Sequence, residues 1–141
     1  MNRLSAWCVL AVSGLMTGCS PGSSDTPAPM AADRSSMSTG ARLYYDNCRA
    51  CHLEDARGVP AVYPSLVNSP VILGDPTELT LWVIKGQRPA SMPAGRYPTV
   101  MNQFGWMKPA EAAALFTYLR SSFGNSAPAV DASTVSRALN P

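Results

Sequence analysis

The apolar residues of this 141-residue chain cluster in stretches with helical spacing, separated by polar and proline-rich segments. Beyond the N-terminal region, three such stretches predict helices, over residues 40–47, 78–85 and 109 to about 123. No segment keeps the alternation of apolar and polar residues that a half-buried strand would show. The pattern therefore predicts an all-α fold.

Residues at the ends of these stretches support the predicted boundaries. Ser38 and Thr39 offer side-chain oxygens that can cap the first helix. Gly86 is expected to stop the second helix, and Pro109 suits the first turn of the third. Six prolines then divide the intervening sequence into loops: Pro60, Pro64, Pro70, Pro89, Pro93 and Pro98. We expect three main helices joined by long loops.

The first 19 residues have the form of a bacterial lipoprotein signal peptide. Arg3 gives the positive start, and residues 7–16 form an apolar stretch that is too short to span a bilayer permanently. Small residues then precede Cys19, in a pattern that resembles the cleavage and lipidation site of bacterial lipoproteins. We expect export with Cys19 as the lipid anchor. The alternative is an ordinary secretory signal that is cut nearby and leaves a soluble protein.

The composition of the rest of the chain indicates three parts, a tether, a folded domain and a tail. Residues 20–37 are rich in Ser, Pro and Ala and carry little that could form a core, so we predict a flexible tether there. We place the folded domain at 38–124 and a tail at 125–141, which we expect to drape over the domain or stay loose. The net charge of +2 and the pI of about 8.4 are too mild to indicate a nucleic-acid partner.

Residues 48–52 read Cys-Arg-Ala-Cys-His and carry the candidate chemistry. Two thiols three positions apart, followed directly by an imidazole, are what covalent attachment of haem c needs, since the cysteines form thioethers and the histidine binds the iron. A structural zinc site would need four Cys or His ligands, which the chain beyond the leader does not have. A thioredoxin-like redox pair would need βαβ surroundings, which the helical pattern does not provide.

We therefore predict that Cys48 and Cys51 hold one haem c covalently and that His52 binds its iron. A domain of about 90 residues has a small core, and a large flat apolar group would supply much of it. We accordingly predict that the chain without haem is largely unfolded.

The sixth ligand of the iron has to be another residue type, since the chain has a single histidine. Met30 and Met37 precede the attachment site and lie in or beside the predicted tether. Met107 comes directly before the third helix, where an apolar contact with that helix is expected. Two methionines remain as candidates, Met92 and Met101.

Three segments of the chain match one known family. They are the first helix with the attachment site (Gly40-x-x-Leu43-Tyr44-x-x-x-Cys48-x-x-Cys51-His52), a proline-rich loop (Gly58-Val59-Pro60, then Tyr63-Pro64-Ser65-Leu66), and the segment from Met101-Asn-Gln-Phe-Gly-Trp106 through the last helix to Asn125. In these segments the chain resembles the small class I cytochromes c of bacteria. The strongest likeness is to the cytochrome domains that accept electrons from alcohol or sugar dehydrogenases.

The resemblance implies a cytochrome c fold and further site residues. Its spacing between the ligand loop and the last helix favours Met101 over Met92 as the sixth ligand. By the same resemblance, the Pro64 carbonyl would accept a hydrogen bond from the ring nitrogen of His52 that does not bind iron, and Leu66 would pack on the haem face.

Histidine and methionine together fill both axial positions of the iron, which suits one-electron transfer. The resemblance thus implies an electron-transfer protein rather than an enzyme. Its expected place is the periplasm, between a donor such as a dehydrogenase and a respiratory acceptor such as a terminal oxidase. Two alternatives stay open. One is a haem enzyme or gas sensor with an open or labile sixth position, and the other is a subunit that docks on a dehydrogenase and supplies its electron exit.

Overall fold

The computed structural model describes residues 37–92 and 95–141. The expected signal peptide, the lipid site at Cys19 and nearly all of the expected tether lie outside the described residues. The described chain forms these helices, in order: α1 Thr39–Asn47, α2 Arg49–His52, α3 Pro70–Leu73, α4 Pro76–Lys85, α5 Pro109–Ser121 and α6 Ala132–Leu139. None of them is long and apolar enough to cross a membrane.

The described residues contain no strand, and the single bridge between extended segments joins Val59 and Tyr63. The fold is therefore all-α, as the hydrophobic pattern predicted. The three predicted helices correspond to α1, α4 and α5. α2 and α3 were not predicted, because each is a single turn and too short to show a helical period. α6 was not predicted either.

Side-chain caps explain where α1 and α4 begin. The Ser38 hydroxyl accepts a hydrogen bond from the Ala41 amide at 3.3 Å, which satisfies a first-turn donor of α1. Asp75 caps α4 in the same way, accepting from the Thr77 amide at 2.8 Å. α4 starts slightly earlier than predicted, since Pro76 fits the first turn of a helix. It ends at Gly86, whose φ of 68° is the left-handed conformation typical of helix C-termini.

α1 crosses α5 at unusually close range, and Gly40 is the reason. A Cβ at position 40 would lie 2.7 Å from the Tyr118 Cβ and would also meet the Ala114 carbonyl oxygen. One turn further along α1, the Tyr44 ring packs against Tyr118 and Phe123, with ring centroids 5.9 and 5.0 Å apart. The crossing fixes α1 against the last long helix, and the turn of residues 48–52 continues directly from α1.

The tail folds onto the domain as a helix. Val135 is fully buried and Ala138 nearly so, and α6 packs against both α4 and α5. Ahead of it, the Thr117 hydroxyl donates to the Val130 carbonyl oxygen at 3.1 Å and accepts from the Val130 amide at 3.0 Å. Asp131 caps this helix by accepting from the Thr134 amide at 2.8 Å, and its apolar residues have helical spacing, although the Ser- and Ala-rich composition of the tail led us to expect no defined helix.

A buried cation holds the end of α5. Arg120 is 4% exposed, and its guanidinium donates to the carbonyl oxygens of Ile72 and Gly74 at 2.6 and 2.9 Å and to that of Pro128 at 2.7 Å. Three carbonyl acceptors replace the water that a buried guanidinium loses. Arg120 therefore joins α5, the α3–α4 junction and the start of the tail into one unit.

Candidate functional site

The attachment motif forms a single helical turn. The Cys48 amide donates to the Tyr44 carbonyl oxygen at 2.8 Å, which continues α1, and the His52 amide donates to the Cys48 carbonyl oxygen at 2.9 Å. Cys48, Cys51 and His52 are therefore at helical positions i, i+3 and i+4. Side chains with this spacing share one face of a helix, so both sulfurs and the imidazole lie on the same side of the turn.

The side chains of this face differ in burial. Cys48 is 8% exposed and His52 is 6% exposed, while Cys51 is half-buried, and both thiols are free. Burial raises the pKa of the Cys48 thiol to about 12, with a smaller contribution from the neighbouring Cys51. Cys48 is thus held as a neutral thiol.

His52 has a fixed orientation and tautomer. Its Nδ1 lies 2.9 Å from the Pro64 carbonyl oxygen, and because a carbonyl only accepts, Nδ1 must carry a proton and donate it. Burial lowers the pKa of His52, partly offset by this hydrogen bond, so the ring is held neutral. A neutral ring protonated at Nδ1 has its lone pair at Nε2, which is the form of histidine that binds a metal.

The loop after the motif is shaped to present the Pro64 carbonyl. The Gly58 amide donates to the His52 carbonyl oxygen at 3.0 Å, and Val59 and Tyr63 exchange hydrogen bonds of 3.0 and 2.8 Å. Gly58 has a φ of +66°, and a Cβ there would lie 2.8 Å from the Pro64 carbonyl carbon. Only glycine allows the chain to return this close to its own start, so Gly58 is part of the site although the sequence analysis gave it no role beyond a family match.

Two tyrosines support the same turn. The buried Tyr44 hydroxyl donates to the Leu53 carbonyl oxygen at 2.6 Å, which fixes the chain where it leaves the motif. Leu53 has a φ of 66°, a conformation that non-glycine residues adopt only when their surroundings hold them. The Tyr63 side chain interacts with the Cys51 thiol, and this interaction raises the pKa of Tyr63. The part played by the Tyr63 side chain was not predicted, and its position next to Pro64 is the one feature of the sequence that indicates it.

The candidate methionines differ in their surroundings. Met92 and Met101 are both half-buried and pack against the hydrophobic core, as Leu66 does. Met107 is 4% exposed and belongs to the core itself, in line with the apolar contact predicted for it. Burial therefore keeps both Met92 and Met101 as candidate ligands and does not separate them.

The family of the chain follows from comparison with known sequences. The sequence model of the family described as cytochrome c matches residues 37–123, which is more than half of the chain. The chain belongs to the cytochrome c family. Cytochromes c transfer electrons, and the class predicted from residues 48–52 and the resembling segments is confirmed.

Several curated relatives are cytochrome c subunits of dehydrogenases. The chain is 32% identical over 93 residues to the cytochrome c subunit of alcohol dehydrogenase (quinone) from Gluconobacter oxydans (strain 621H), covering 63% of this chain and 19% of that protein. It is 33% identical over 94 residues to the gluconate 2-dehydrogenase cytochrome c subunit from Pantoea cypripedii, covering 64% and 21%. The chain thus spans about a fifth of the length of these relatives.

Membership of the family implies covalent haem c, and the described residues fit that group. Two free cysteine sulfurs share a helical face with an imidazole that is neutral and protonated at Nδ1. This donor set has the two sulfurs that thioether attachment needs and one nitrogen lone pair for iron. Met92 and Met101 are half-buried, and either could supply a soft thioether sulfur as a further ligand to the iron.

Proposed function

We propose that the chain is a single-haem electron carrier of the periplasm, which takes electrons one at a time from a dehydrogenase and passes them to a respiratory acceptor. The observation that carries the proposal is the 2.9 Å hydrogen bond from His52 Nδ1 to the Pro64 carbonyl oxygen, on the same helical face as Cys48 and Cys51. A histidine held in this way keeps its orientation, which suits repeated electron transfer with little rearrangement.

Each residue of the site has a distinct part in this function. Haem c supplies the reversible one-electron exchange when it is bound. Cys48 and Cys51 hold it covalently, and His52 binds the iron through Nε2 while Pro64 fixes the ring. Met101 is the proposed sixth ligand and Leu66 the proposed contact on the haem face. A methionine ligand stabilises the reduced iron and leaves no axial position for a substrate.

The proposed location rests on the N-terminal sequence. Residues 1–19 act as an export signal, and Cys19 carries the lipid that anchors the protein to a membrane. Residues 20–37 form the tether, with a typical end-to-end distance of roughly 20–25 Å as a flexible chain. The domain can then reach a membrane-bound partner without leaving the membrane surface.

The proposed donor rests on the relatives. Both the alcohol and the gluconate dehydrogenase proteins are named as cytochrome c subunits, which favours a dehydrogenase as the partner. The same observation supports a second candidate function, a subunit that remains docked on a dehydrogenase as its electron exit. Purification of the membrane-extracted protein separates the two. A stable complex with a larger flavin or quinone enzyme indicates the subunit, and a lone cytochrome indicates the shuttle.

The axial ligand is the most direct test of an electron carrier. In the oxidised protein, methionine ligation gives a sulfur-to-iron charge-transfer absorption in the far red. We expect Met101→Leu to abolish this absorption and to lower the midpoint potential by on the order of 0.1 V, because the ligand that stabilises reduced iron is lost. Met92→Leu is the matched control, half-buried against the same core, and should change neither.

Three results would contradict parts of the proposal. Loss of the absorption in Met92→Leu alone would make Met92 the ligand. Rapid binding of carbon monoxide to the reduced wild-type protein at neutral pH would favour the gas sensor or haem enzyme, since a firmly bound methionine blocks that position. Extraction of the pigment by acidified organic solvent would show that the haem is not covalently attached.

A further inference from the structure

Asn125 is a buried polar residue that lies outside the attachment motif and contacts the loop leading from it. It is 5% exposed and follows the turn at Phe123 and Gly124, whose φ angles of 59° and 83° end α5 and reverse the chain. Its own amide donates to the Ser122 carbonyl oxygen at 2.9 Å, which fixes the backbone of this turn. The side chain is thereby directed at residues far away in sequence.

The carboxamide of Asn125 uses both its donor and its acceptor groups. Nδ2 donates to the carbonyl oxygens of Leu119, at 2.8 Å, and Leu66, at 3.1 Å, while Oδ1 accepts from the Asn68 amide at 2.8 Å. The partners fix which atom is nitrogen, because carbonyl oxygens only accept and an amide only donates. One side chain therefore joins the end of α5 to two points of the loop that follows Pro64.

This loop is held from two sides. On one side the Leu66 amide donates to the Ala56 carbonyl oxygen at 2.8 Å, and on the other Asn125 binds Leu66 and Asn68. Asn68 has a φ of 53°, a left-handed conformation that the Asn125 contact helps to maintain. The Pro64 carbonyl, which accepts from His52, is two residues before the first contact with Asn125. Its position depends on how firmly this loop is held.

We propose that Asn125 is a positioning residue for His52. By holding the 66–68 loop it keeps the Pro64 carbonyl at hydrogen-bond distance from Nδ1, and through that bond it sets the electron-transfer potential. The inference rests on the proposed role of His52 as the iron ligand. It assigns to a residue outside the motif a part in the chemistry of the site, in addition to its part in the fold.

The direction of the effect follows from the hydrogen bond. A strong bond from Nδ1 to a carbonyl makes the imidazole more basic, and a more basic ligand stabilises oxidised iron, which lowers the potential. Loosening the loop weakens the bond, so the potential rises. The Nδ1 proton also becomes easier to exchange with solvent, since the bond opens more often.

The test compares holoproteins that differ at one side chain. Asn125→Asp keeps the size and the Oδ1 acceptor but turns an oxygen toward the Leu66 and Leu119 carbonyls. Asn125→Ser is the milder variant, whose short side chain cannot span both contacts, and it provides the test if the aspartate variant does not mature. Thr117→Val is the matched control, because it removes another two-sided clamp between α5 and the chain, at Val130, without touching the loop.

Two measurements decide the outcome, the midpoint potential and the exchange rate of the His52 Nδ1 proton followed by NMR in the reduced protein. We expect the Asn125 variants to have a higher potential and an exchange rate about tenfold faster than wild type. Thr117→Val should lower stability but leave both the midpoint potential and the exchange rate of the Nδ1 proton unchanged. The inference is wrong if the Asn125 variants lose stability as the control does and keep the wild-type potential and exchange rate. A wild-type spectrum without histidine ligation would overturn the proposed function itself, before any variant is compared.

Discussion

Two segments flank the expected haem, and they are built differently. The proximal segment, residues 48–68, carries the cysteines and His52 and is closed by hydrogen bonds at short intervals. The distal segment, residues 86–108, carries Met92 and Met101. In the proximal segment, the motif turn, the Val59–Tyr63 bridge, the Leu66–Ala56 bond and the His52–Pro64 bond follow one another. Together these bonds fix the backbone of the proximal segment from Cys48 to Leu66.

In the described part of the distal segment, residues 86–92 and 95–108, backbone hydrogen bonds to the rest of the fold occur near the two ends. At its start the Gln87 amide donates to the Leu81 carbonyl oxygen at 3.0 Å, and near its end the Phe104 amide donates to the Val83 carbonyl oxygen at 3.0 Å. Between these points the Met92 amide closes a turn onto Pro89 at 3.1 Å. Over the described residues 95–103 we find no backbone hydrogen bond of this kind. In this part of the chain most residues are exposed, and Met101 is the residue that packs against the core.

This contrast between the segments shows which features of the site are determined by local contacts. A histidine that follows a helical turn and meets a carbonyl presented by a glycine-containing loop has one orientation. A methionine on a segment held by apolar packing can be replaced, in principle, by another methionine of the same segment, because packing is not directional. The predictions below test this contrast by changing matched positions in the two segments.

The largest effect is expected from removing the covalent attachment. We predict that Cys48→Ala with Cys51→Ala loses most of the far-UV circular dichroism of the holoprotein, because so small a domain needs the haem to complete its core. Cys51→Ala alone keeps one thioether and serves as the control, with most of its helical signal retained. A double variant with the full helical signal would show that the hydrogen bonds of the proximal segment fold the domain without the haem.

Much of the helical scaffold was predictable because its signals are local. α1, α4 and α5 have capping residues or first-turn prolines next to apolar stretches of sufficient length. α6 has such signals too, an N-cap at Asp131 and apolar residues at helical spacing, but it was not predicted because the Ser-, Ala- and Pro-rich composition of the tail favoured a segment without regular structure. A segment of eight residues is only marginally helical on its own, so packing of Val135 and Ala138 against α4 and α5 stabilises it.

The residues of the site also fall into two groups, those that local sequence predicts and those brought together by distant contacts. Cys48, Cys51 and His52 are close in sequence, so one helical turn is enough to bring them together. The Pro64 contact was expected from family resemblance, and the structure places it at 2.9 Å from His52. Asn125 was not predicted as a site residue, because its link to the loop at Leu66 and Asn68 crosses 57 to 59 residues of sequence. The choice between Met92 and Met101 stays a prediction, since both side chains are partly buried against the core.

An intermediate loss of stability is expected from replacing either of two glycines that have a similar backbone conformation. Gly58 of the proximal segment and Gly95 of the distal segment have φ angles of +66° and +71°. A Cβ at position 58 would collide with the Tyr63 and Pro64 carbonyls, whereas at position 95 it would meet nothing within 4 Å. We predict that Gly58→Ala lowers the unfolding free energy of the holoprotein by about 3 kcal/mol or more, from strain and overlap together, and Gly95→Ala by about 1 kcal/mol, from strain alone.

Urea unfolding of the two variant holoproteins and the wild type, followed by circular dichroism, measures these differences in unfolding free energy. Gly58→Ala should also raise the midpoint potential, because the overlap displaces the Pro64 carbonyl from His52. Equal losses of stability in the two variants would contradict the contrast between the segments. They would mean that the left-handed conformation, rather than the return of the loop onto Pro64, accounts for the cost at position 58.

The smallest change in unfolding free energy is expected from replacing one alanine by glycine in each segment, and we expect it to have opposite signs in the two segments. Pro60 and Ala61 lie at the centre of the turn closed by the Val62 amide and the Val59 carbonyl oxygen, and Ala61 has a φ of 62°, which a type II turn requires and glycine adopts most easily. We predict that Ala61→Gly raises the unfolding free energy by about 0.5 kcal/mol, since the strain relieved exceeds the entropy that glycine adds to the unfolded chain. Ala90 is an exposed turn residue of the distal segment without positive φ, so Ala90→Gly relieves no strain and should lower stability by about 0.5–1 kcal/mol. Paired urea titrations resolve the sign, and a loss of stability in both variants would show that the proximal turn is not held in the strained conformation.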